Sequence, residues 1–157
     1  MGLTALQAHG PSLAAKRAGE YRGAISAACF SDPQQEFKAL RYDCGVYDLG
    51  YREKVSLTGA DRTRWLNGMV TNNIRDLPFG RGVYAFLLNP QGHILGDLYA
   101  YNLGESILVD TDADQLEKII ATFDHYIIMD DVVITGLSER MTSLGVAGPK
   151  SRAVLAA

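Results

Sequence analysis

An aspartate stands inside an apolar, strand-like stretch of the sequence, ILGDLYAYN at residues 94–102. An unpaired carboxylate taken out of water costs free energy, so Asp97 needs a physical reason to be there. Tyr84, Tyr99 and Tyr101 lie in the same or a neighbouring extended segment, and an antiparallel meander can bring them onto one concave face. An aromatic-walled slot with one carboxylate suits a flat, amine-rich heterocycle. The alternative is a solvated aspartate on a half-exposed strand, and spacing alone leaves both interpretations open.

The other chemically capable residues do not form a recognisable catalytic or metal-binding pattern. His9, His93 and His125 are far apart, so they lack the clustered spacing of metal ligands. Cys29 and Cys44 lie outside any CxxC or Cys–His arrangement, which predicts free thiols without a catalytic role. The serines lack a GxSxG elbow. We therefore expect neither a metal site nor a covalent nucleophile.

Composition restricts the class of protein. The 157 residues are 47% hydrophobic and 21% charged, with a formal net charge of −3. These values predict a globular chain of about one domain and make nucleic acid an improbable partner. We recognise neither a signal peptide nor an apolar stretch of membrane-spanning length, so we expect a cytoplasmic protein without a membrane partner.

Periodicity and turn residues predict an α+β fold, with a mostly antiparallel sheet and flanking helices. Residues 1–34 are predicted to be an N-terminal arm, and residues 35–157 to be one domain that is incomplete at its C-terminus. A capping box formed by Asp112 and Gln115 is predicted to begin the clearest helix. The other predicted helices lie at 33–44, at 60–73 and after Pro149, and the predicted extended segments are 46–59, 82–89, 93–102, 106–110, 130–137 and 141–148.

The turn Asn89-Pro90-Gln91-Gly92 fixes the expected orientation of side chains in the two strands that flank it. If these strands pair antiparallel, residues two apart share a face of the sheet. Asp97 would then share a face with Leu95, Tyr99 and Tyr101. The residues expected on the opposite, helix-covered face are Ile94, Gly96, Leu98 and Ala100.

Three stretches carry a resemblance to a known family, and they occur in the family's order. They are YDCGVYDLGYREKVSLTGADRTRWLNGMVTNNI, GVYAFLLNPQGHILGDLYAY and LGVAGPKSRAVL. Together they resemble the folate-binding domain shared by the glycine-cleavage T-protein, an aminomethyltransferase, and the YgfZ-type folate-binding proteins. The resemblance covers about residues 35–157. It implies the aminomethyltransferase type of folate-binding fold, with tetrahydrofolate or a related folate as cofactor.

The resemblance also implies roles for four residues. Asp97 corresponds to the aspartate that lies beside the pterin–aminobenzoate junction of tetrahydrofolate. In an enzyme it would orient the folate amine and stabilise developing positive charge, a catalytic role. Tyr84 and Tyr101 match aromatic positions of the folate cavity. Asp110 falls where the transferases carry an asparagine that contacts the pterin ring. An aspartate keeps the side-chain oxygen that accepts hydrogen bonds but lacks the NH₂ group of asparagine that donates them.

Two departures bear on the branch of the family. The stretch GVYDLGY at residues 45–51 lacks the histidine and methionine of the transferases, and Gly96 replaces the first of two adjacent acidic residues. This pattern favours a folate-binding protein of the YgfZ type, whose family role is in iron–sulfur protein maintenance and cluster assembly. The alternatives are an aminomethyltransferase that moves a one-carbon unit to tetrahydrofolate and a scaffold that binds no ligand. An iron–sulfur protein or a lipoyl carrier protein is the corresponding macromolecular partner.

Overall fold

The computed structural model describes Thr4 and residues 15–157. Residues 1–3 and 5–14 of the predicted arm, with His9 among them, lie outside the described residues. The described residues form two compact units. The sheet unit is Arg52–Met141, and the terminal unit combines the described residues up to Tyr51 with Thr142–Ala157. A boundary between an arm and a domain at residues 34 and 35 stays a prediction.

The described residues confirm the predicted α+β class, because each strand pairing is antiparallel. The strands are β1 (Arg17–Tyr21), β2 (Ala24–Cys29), β3 (Gly45–Asp48), β4 (Arg52–Thr58), β5 (Gly82–Leu88), β6 (Ile94–Asn102), β7 (Ile107–Asp112), β8 (Val133–Gly136) and β9 (Leu144–Ala147). The helices are α1 (Pro33–Tyr42), α2 (Arg62–Met69), α3 (Ala113–Tyr126) and α4 (Ser151–Leu155). None of the helices in the described part of the chain has the length and apolar character needed to cross a membrane.

The sheet unit is one five-stranded sheet in the order β5-β6-β7-β4-β8. Buried and less buried residues alternate along most of β5, β6 and β7, as the period of two requires. Helix α3 packs on β4, β6 and β7 through the apolar stripe that the sequence predicts, and its Ile119 and Phe123 are almost fully buried. Trp65 of α2 packs edge-on against Phe123, with ring centroids 5.1 Å apart. The helices thus cover one face of the sheet, and polar side chains occupy the other face.

The turn between β5 and β6 forms as predicted, but a β-bulge follows it. The amide of Asn89 donates to His93 O at 2.9 Å, and Gly92 has the positive φ of 82° that the turn needs. The register then shifts, because Leu88 pairs with Ile94 whereas Leu87 pairs with Gly96.

The bulge corrects the predicted faces of two side chains. Leu95 packs against the hydrophobic core, and Ile94 is 60% exposed. The prediction that Leu95 shares the face of Asp97 is therefore wrong, as is the prediction that Ile94 faces the helices. An extra residue in one strand reverses the alternation on one side of it. From Gly96 onward the alternation follows the prediction.

The predicted capping box at the start of α3 is also wrong. Asp112 is the N-cap residue, but its side chain makes no capping hydrogen bond. Gln115 instead turns toward β6, where its Oε1 accepts from Asp97 N at 2.8 Å and its Nε2 donates to Asp97 Oδ1 at 2.8 Å. Gly96 makes room for this contact, since a Cβ atom there would lie 2.9 Å from Gln115 Oε1.

The terminal unit contains two separate two-stranded sheets, β1–β2 and β3–β9, with helices α1 and α4. The β1–β2 hairpin lies within the predicted N-terminal arm. Helix α1 begins as predicted at Pro33, where Asp32 caps it by accepting from Gln34 N at 3.1 Å. Cys29 is buried, Cys44 is half-buried, and both are free thiols. Large apolar side chains stay exposed here, including Tyr42 and Leu155.

Candidate functional site

The open face of the sheet unit brings together the residues that the sequence singled out. Tyr84 of β5 pairs with Tyr99 of β6, and Tyr99 pairs with Asp110 of β7. Asp110 in turn pairs with Lys54 of β4. We call this surface the mixed face; its members are Arg52, Lys54, Tyr84, Phe86, Asp97, Tyr99, Tyr101, Asp110 and Asp112. The four predicted site residues, Tyr84, Asp97, Tyr101 and Asp110, are all among them.

Asp97 is held in place by two neutral side chains. Tyr84 Oη donates to its Oδ2 at 2.9 Å, and Gln115 Nε2 donates to its Oδ1 at 2.8 Å. Thr111 Oγ1 fixes the backbone by donating to Asp97 O at 2.7 Å. The carboxylate is half-buried and makes no ion pair with a described cation. Such a carboxylate is suited to receive a hydrogen bond from a ligand amine.

An aromatic row extends beside Asp97. The rings of Tyr84 and Tyr99 have centroids 5.0 Å apart, and the rings of Tyr99 and Tyr101 are 6.2 Å apart and inclined by only 20°. Tyr84 and Tyr99 are 39% and 41% exposed. Tyr101 lies over the bare backbone of Gly82, where a Cβ atom would come within 2.3 Å of the ring. The row therefore presents accessible aromatic surface on which a flat ring can pack.

Arg52 joins the acidic residues of β7 to this row. Its Nε donates to Asp110 Oδ1 at 2.7 Å and its Nη1 donates to Asp112 Oδ1 at 2.6 Å. Its guanidinium carbon lies 5.8 Å from the centroid of the Tyr99 ring, within the range of a cation–π contact. Lys54 is buried, at 3% exposure, and its Nζ donates to Arg52 O at 2.5 Å. Two cations thus offset the charges of Asp110 and Asp112, whereas Asp97 has no cation of its own among the described residues.

The electrostatics of the mixed face shift four pKa values. Burial acts to lower the pKa of Arg52, but its hydrogen bonds and charge interactions with Asp112 and Asp110 raise it overall. Burial raises the pKa of Tyr84, and its hydrogen bond to Asp97 raises it further. Burial also raises the pKa of Tyr101, with the negative charge of Asp110 contributing. Burial lowers the pKa of Lys54, although Asp110 and Glu53 oppose that effect. Both phenols therefore remain protonated donors throughout the neutral range.

Sequence reasoning missed Arg52 and Lys54 of this face and Gln115 of the adjoining helix α3. Lys54 begins an alternation of polar and apolar residues on β4, and that period of two was visible in the sequence. Only the pairing of β4 with β7 places Arg52 beside Asp110, and this pairing joins strands 58 residues apart. Gln115 carries no such signal, because its sequence position fits an ordinary helix cap.

A second concave region lies in the terminal unit. It is a cavity of about 590 Å³, a volume in the range of small-molecule sites. Two of its three carboxylates already accept hydrogen bonds: Asp48 from Thr4 Oγ1 and from Gly50 N, and Glu36 from the backbone amides of Phe30 and Ser31. The third, Glu20, is exposed. The residues that line it are Gly19, Glu20, Tyr21, Ser26, Ala27, Ala28, Phe30, Glu36, Ala39, Leu40, Gly45, Val46, Tyr47, Asp48 and Tyr51.

Comparison with known proteins identifies relatives that match most of the chain. The family model of the GCVT N-terminal domain matches residues 7–157. An aminomethyltransferase of Bacillus velezensis is 33% identical over 128 residues, which are 81% of this chain and 35% of that protein. The aminomethyltransferase of Bacillus subtilis is 31% identical over 80% of this chain and 35% of its own length. The chain thus spans about a third of the length of the curated relatives it matches.

The fold has a counterpart among solved structures. The crystal structure of glycine cleavage system aminomethyltransferase T from Bartonella henselae superposes with a TM-score of 0.79 at 22% identity. The superposed region covers 89% of this chain and 39% of the Bartonella henselae chain. The architecture and the family model agree with each other. This chain belongs to the T-protein family, through its match to the GCVT N-terminal domain.

Proposed function

We propose that this chain is the folate-binding part of a tetrahydrofolate-dependent aminomethyltransferase of the T-protein type. The observation that carries the proposal is Asp97, a half-buried carboxylate that accepts only from neutral side-chain donors and lies beside accessible tyrosine rings. The aminomethyltransferase relatives support this alternative better than the YgfZ-type role that the sequence favoured. The activity of the whole protein, a lipoyl carrier partner and the substrate all belong to this proposal.

The residues of the mixed face fit a reduced folate. Tetrahydrofolate supplies the nitrogen that accepts the one-carbon unit. Tyr84, Tyr99 and Tyr101 offer a row on which a bicyclic ring and an aminobenzoate can pack. Asp97 is positioned to accept a hydrogen bond from a ligand amine and to stabilise positive charge at that nitrogen. Gln115 and Tyr84 fix the carboxylate, so its orientation is set before a ligand binds.

The cavity of the terminal unit fits this role less well. Asp48 and Glu36, two of its three carboxylates, are already engaged by hydroxyl and amide donors of the unit itself. An amine-rich ligand would have to displace those bonds, which costs free energy comparable to what it gains. The third carboxylate, Glu20, is exposed to water and offers no prepositioned acceptor. On the mixed face, the Asp97 carboxylate can still accept a further hydrogen bond from a ligand.

One observation favours a second candidate function. Residues 45–51 read GVYDLGY, without the histidine and methionine that the resemblance leads us to expect in a transferase. A folate-binding protein of the YgfZ type, with a role in iron–sulfur protein maintenance, fits that stretch. Turnover of an aminomethylated lipoyl carrier by the longer protein would support the enzyme, and folate binding without turnover would support the second candidate.

The test is calorimetric titration of the chain with tetrahydrofolate. Asp97→Ala should weaken binding by roughly ten- to a hundred-fold, since a hydrogen bond to a charged group contributes about 1.5–3 kcal/mol. Asp124→Ala is the matched control, because Asp124 is an exposed aspartate on α3 and its removal changes net charge equally. We expect weak binding by the wild-type chain, because it spans only about a third of its relatives.

Two outcomes of this titration would contradict the proposal, and a third would contradict only the expected weak binding. Equal affinities of the wild type and Asp97→Ala would make Asp97 a solvated strand residue. A wild-type chain that binds no tetrahydrofolate would favour the scaffold. A submicromolar dissociation constant would instead show that the site is already complete within these residues, against our expectation of weak binding.

A further inference from the structure

The cavity of the terminal unit owes its size to small side chains. Glycine or alanine occupies five of the lining positions, which lie on both strands of the β1–β2 hairpin, on helix α1 and on strand β3; they are Gly19, Ala27, Ala28, Ala39 and Gly45. Protein interiors are otherwise close-packed, so larger residues at these positions would fill the space. At about 590 Å³ the cavity can hold a small organic molecule.

Tyrosine rings form part of the cavity wall. Tyr21 and Tyr51 pack edge to face, with ring centroids 4.9 Å apart. Tyr47 also lines the cavity, and its ring lies against the bare backbone of Gly145, where it leaves no room for a Cβ atom. The face of an aromatic ring carries negative charge density and attracts cations. The wall is therefore apolar and at the same time favourable to positive charge.

The charged groups of the lining are all acidic. They are Glu20, Glu36 and Asp48, and no lysine, arginine or histidine is among the described residues that line the cavity. The backbone amide of Ser31 holds the pKa of Glu36 below its usual value, against the opposing effect of burial, so this carboxylate is ionised at neutral pH. Acidic groups of one sign around a concave surface favour cations and disfavour anions.

Two basic residues approach the cavity without lining it. Lys16 contributes the smallest part of the lowering of the Glu36 pKa. The guanidinium carbon of Arg22 lies 6.0 Å from the centroid of the Tyr21 ring, so this ring already has a cation beside it. Neither residue is part of the lining. Tyr47 is therefore the ring on which a bound cation is tested most directly.

A fully alkylated ammonium ion suits this combination of groups. It carries no N–H, so the hydrogen bonds that Asp48 and Glu36 already accept can remain in place. Its charge is covered by alkyl groups, which pack on the small apolar side chains and on the tyrosine rings. An amine with N–H groups would instead need an acceptor of its own.

We propose that the cavity of the terminal unit is a binding site for a small quaternary ammonium ion, with the ring of Tyr47 as a cation–π contact. The charge of the ion is stabilised by the tyrosine rings and by the acidic lining. This inference uses no residue of the mixed face, so it stands or falls independently of the proposed folate-binding function.

The test compares choline with 3,3-dimethylbutan-1-ol, which has a carbon atom in place of the charged nitrogen and is otherwise the same. The chain is titrated with each probe at equal ionic strength and followed by NMR with labelled tyrosine. We expect the wild type to prefer choline by roughly three- to thirtyfold, the range of a partly desolvated cation–π contact, with shifts at Tyr21, Tyr47 and Tyr51. A cavity that is only apolar would prefer the neutral alcohol, because a cation loses more hydration.

Three variants assign the preference to the cavity. Tyr47→Leu should reduce the preference for choline by roughly two- to tenfold, whereas Tyr47→Phe keeps an aromatic ring and should preserve it. Tyr42→Leu is the matched control, because Tyr42 is an exposed tyrosine of α1 outside the lining. Ala39→Leu fills part of the cavity from α1 and should weaken both probes, which keeps the site testable if Tyr47→Leu does not fold.

Four outcomes would overturn the inference. They are no binding of choline by the wild type, equal or weaker binding of choline than of the alcohol, shifts confined to tyrosines outside the lining, and an unchanged preference in folded Tyr47→Leu. Unchanged affinities in Ala39→Leu would likewise place the probes outside the cavity. Titration with tetrahydrofolate reports on the proposed function separately, and its failure would leave the preference for choline as it is.

Discussion

Replacing Gln115 tests whether Asp97 is positioned by the sheet unit itself. Gln115→Ala removes two hydrogen bonds of 2.8 Å, one to Asp97 Oδ1 and one from Asp97 N. Each contributes about 0.5–1.5 kcal/mol net, and the backbone amide of Asp97 is left without its partner. Alanine gains a few tenths of a kcal/mol in helix propensity. The free energy of unfolding should therefore fall by about 2 kcal/mol.

Urea unfolding followed by circular dichroism measures this change. Similar m-values for the wild type and Gln115→Ala would show that the surface exposed on unfolding is unaltered. Glu117→Ala is the control, since Glu117 is an exposed residue of the same helix. Tetrahydrofolate affinity should fall as well, because Asp97 loses one of its two side-chain donors. If Gln115→Ala is no more destabilising than Glu117→Ala, the Gln115–Asp97 contact does not hold the carboxylate, and that reasoning is refuted.

Two further predictions concern the same contacts. Gly96→Ala should lower the free energy of unfolding by about 1–3 kcal/mol and weaken tetrahydrofolate binding. The new Cβ would lie 2.9 Å from Gln115 Oε1 and 3.2 Å from Ile119 Cδ1. Urea unfolding measures the change, and Gly68→Ala is the control, because nothing lies within 4 Å of a Cβ at that position. Burial and Asp97 raise the pKa of Tyr84, so its stabilising contribution is complete below the unfolded-state pKa and is lost as pH rises through the folded one. Asp97→Asn should make Tyr84 titrate at a lower pH by tyrosine NMR, and an unchanged titration would contradict the coupling.

The sequence predicts the sheet unit well where local signals decide the structure. The turn at Asn89–Gly92 and the alternation from Gly96 to Tyr101 place Asp97, Tyr99 and Tyr101 on one face, and the structure confirms this. The bulge just before Gly96 in the chain was not predictable, because a bulge depends on the partner strand rather than on local propensity. It moves Leu95 into the core and Ile94 into solvent.

The missed contacts have a common physical origin. Arg52 reaches Asp110 only through a strand pairing that closes a loop of 58 residues, and no local pattern encodes that register. Gln115 satisfies the sequence rule for a helix cap, yet its amide finds better-placed partners at Asp97 in the neighbouring strand. The β1–β2 hairpin is rich in small and charged residues and therefore gives a weak strand signal.

The choice between branches shows the limit of single departures. The loss of the histidine and methionine near Gly50 and Tyr51 favoured the YgfZ type, whereas similarity over most of the chain leads to aminomethyltransferases. The similarity in sequence is the reason why the enzyme is proposed above ahead of the YgfZ type.

The most direct test of the proposed site measures the NMR chemical shifts of the eight tyrosines, in a chain with labelled tyrosine, as tetrahydrofolate is added. Three tyrosines lie on the mixed face, and Tyr21, Tyr47 and Tyr51 line the cavity of the terminal unit. The account predicts ligand-dependent shifts at Tyr84, Tyr99 and Tyr101 that are greatly reduced in Asp97→Ala. Shifts confined to Tyr21, Tyr47 and Tyr51 would contradict it and place the ligand in the terminal unit.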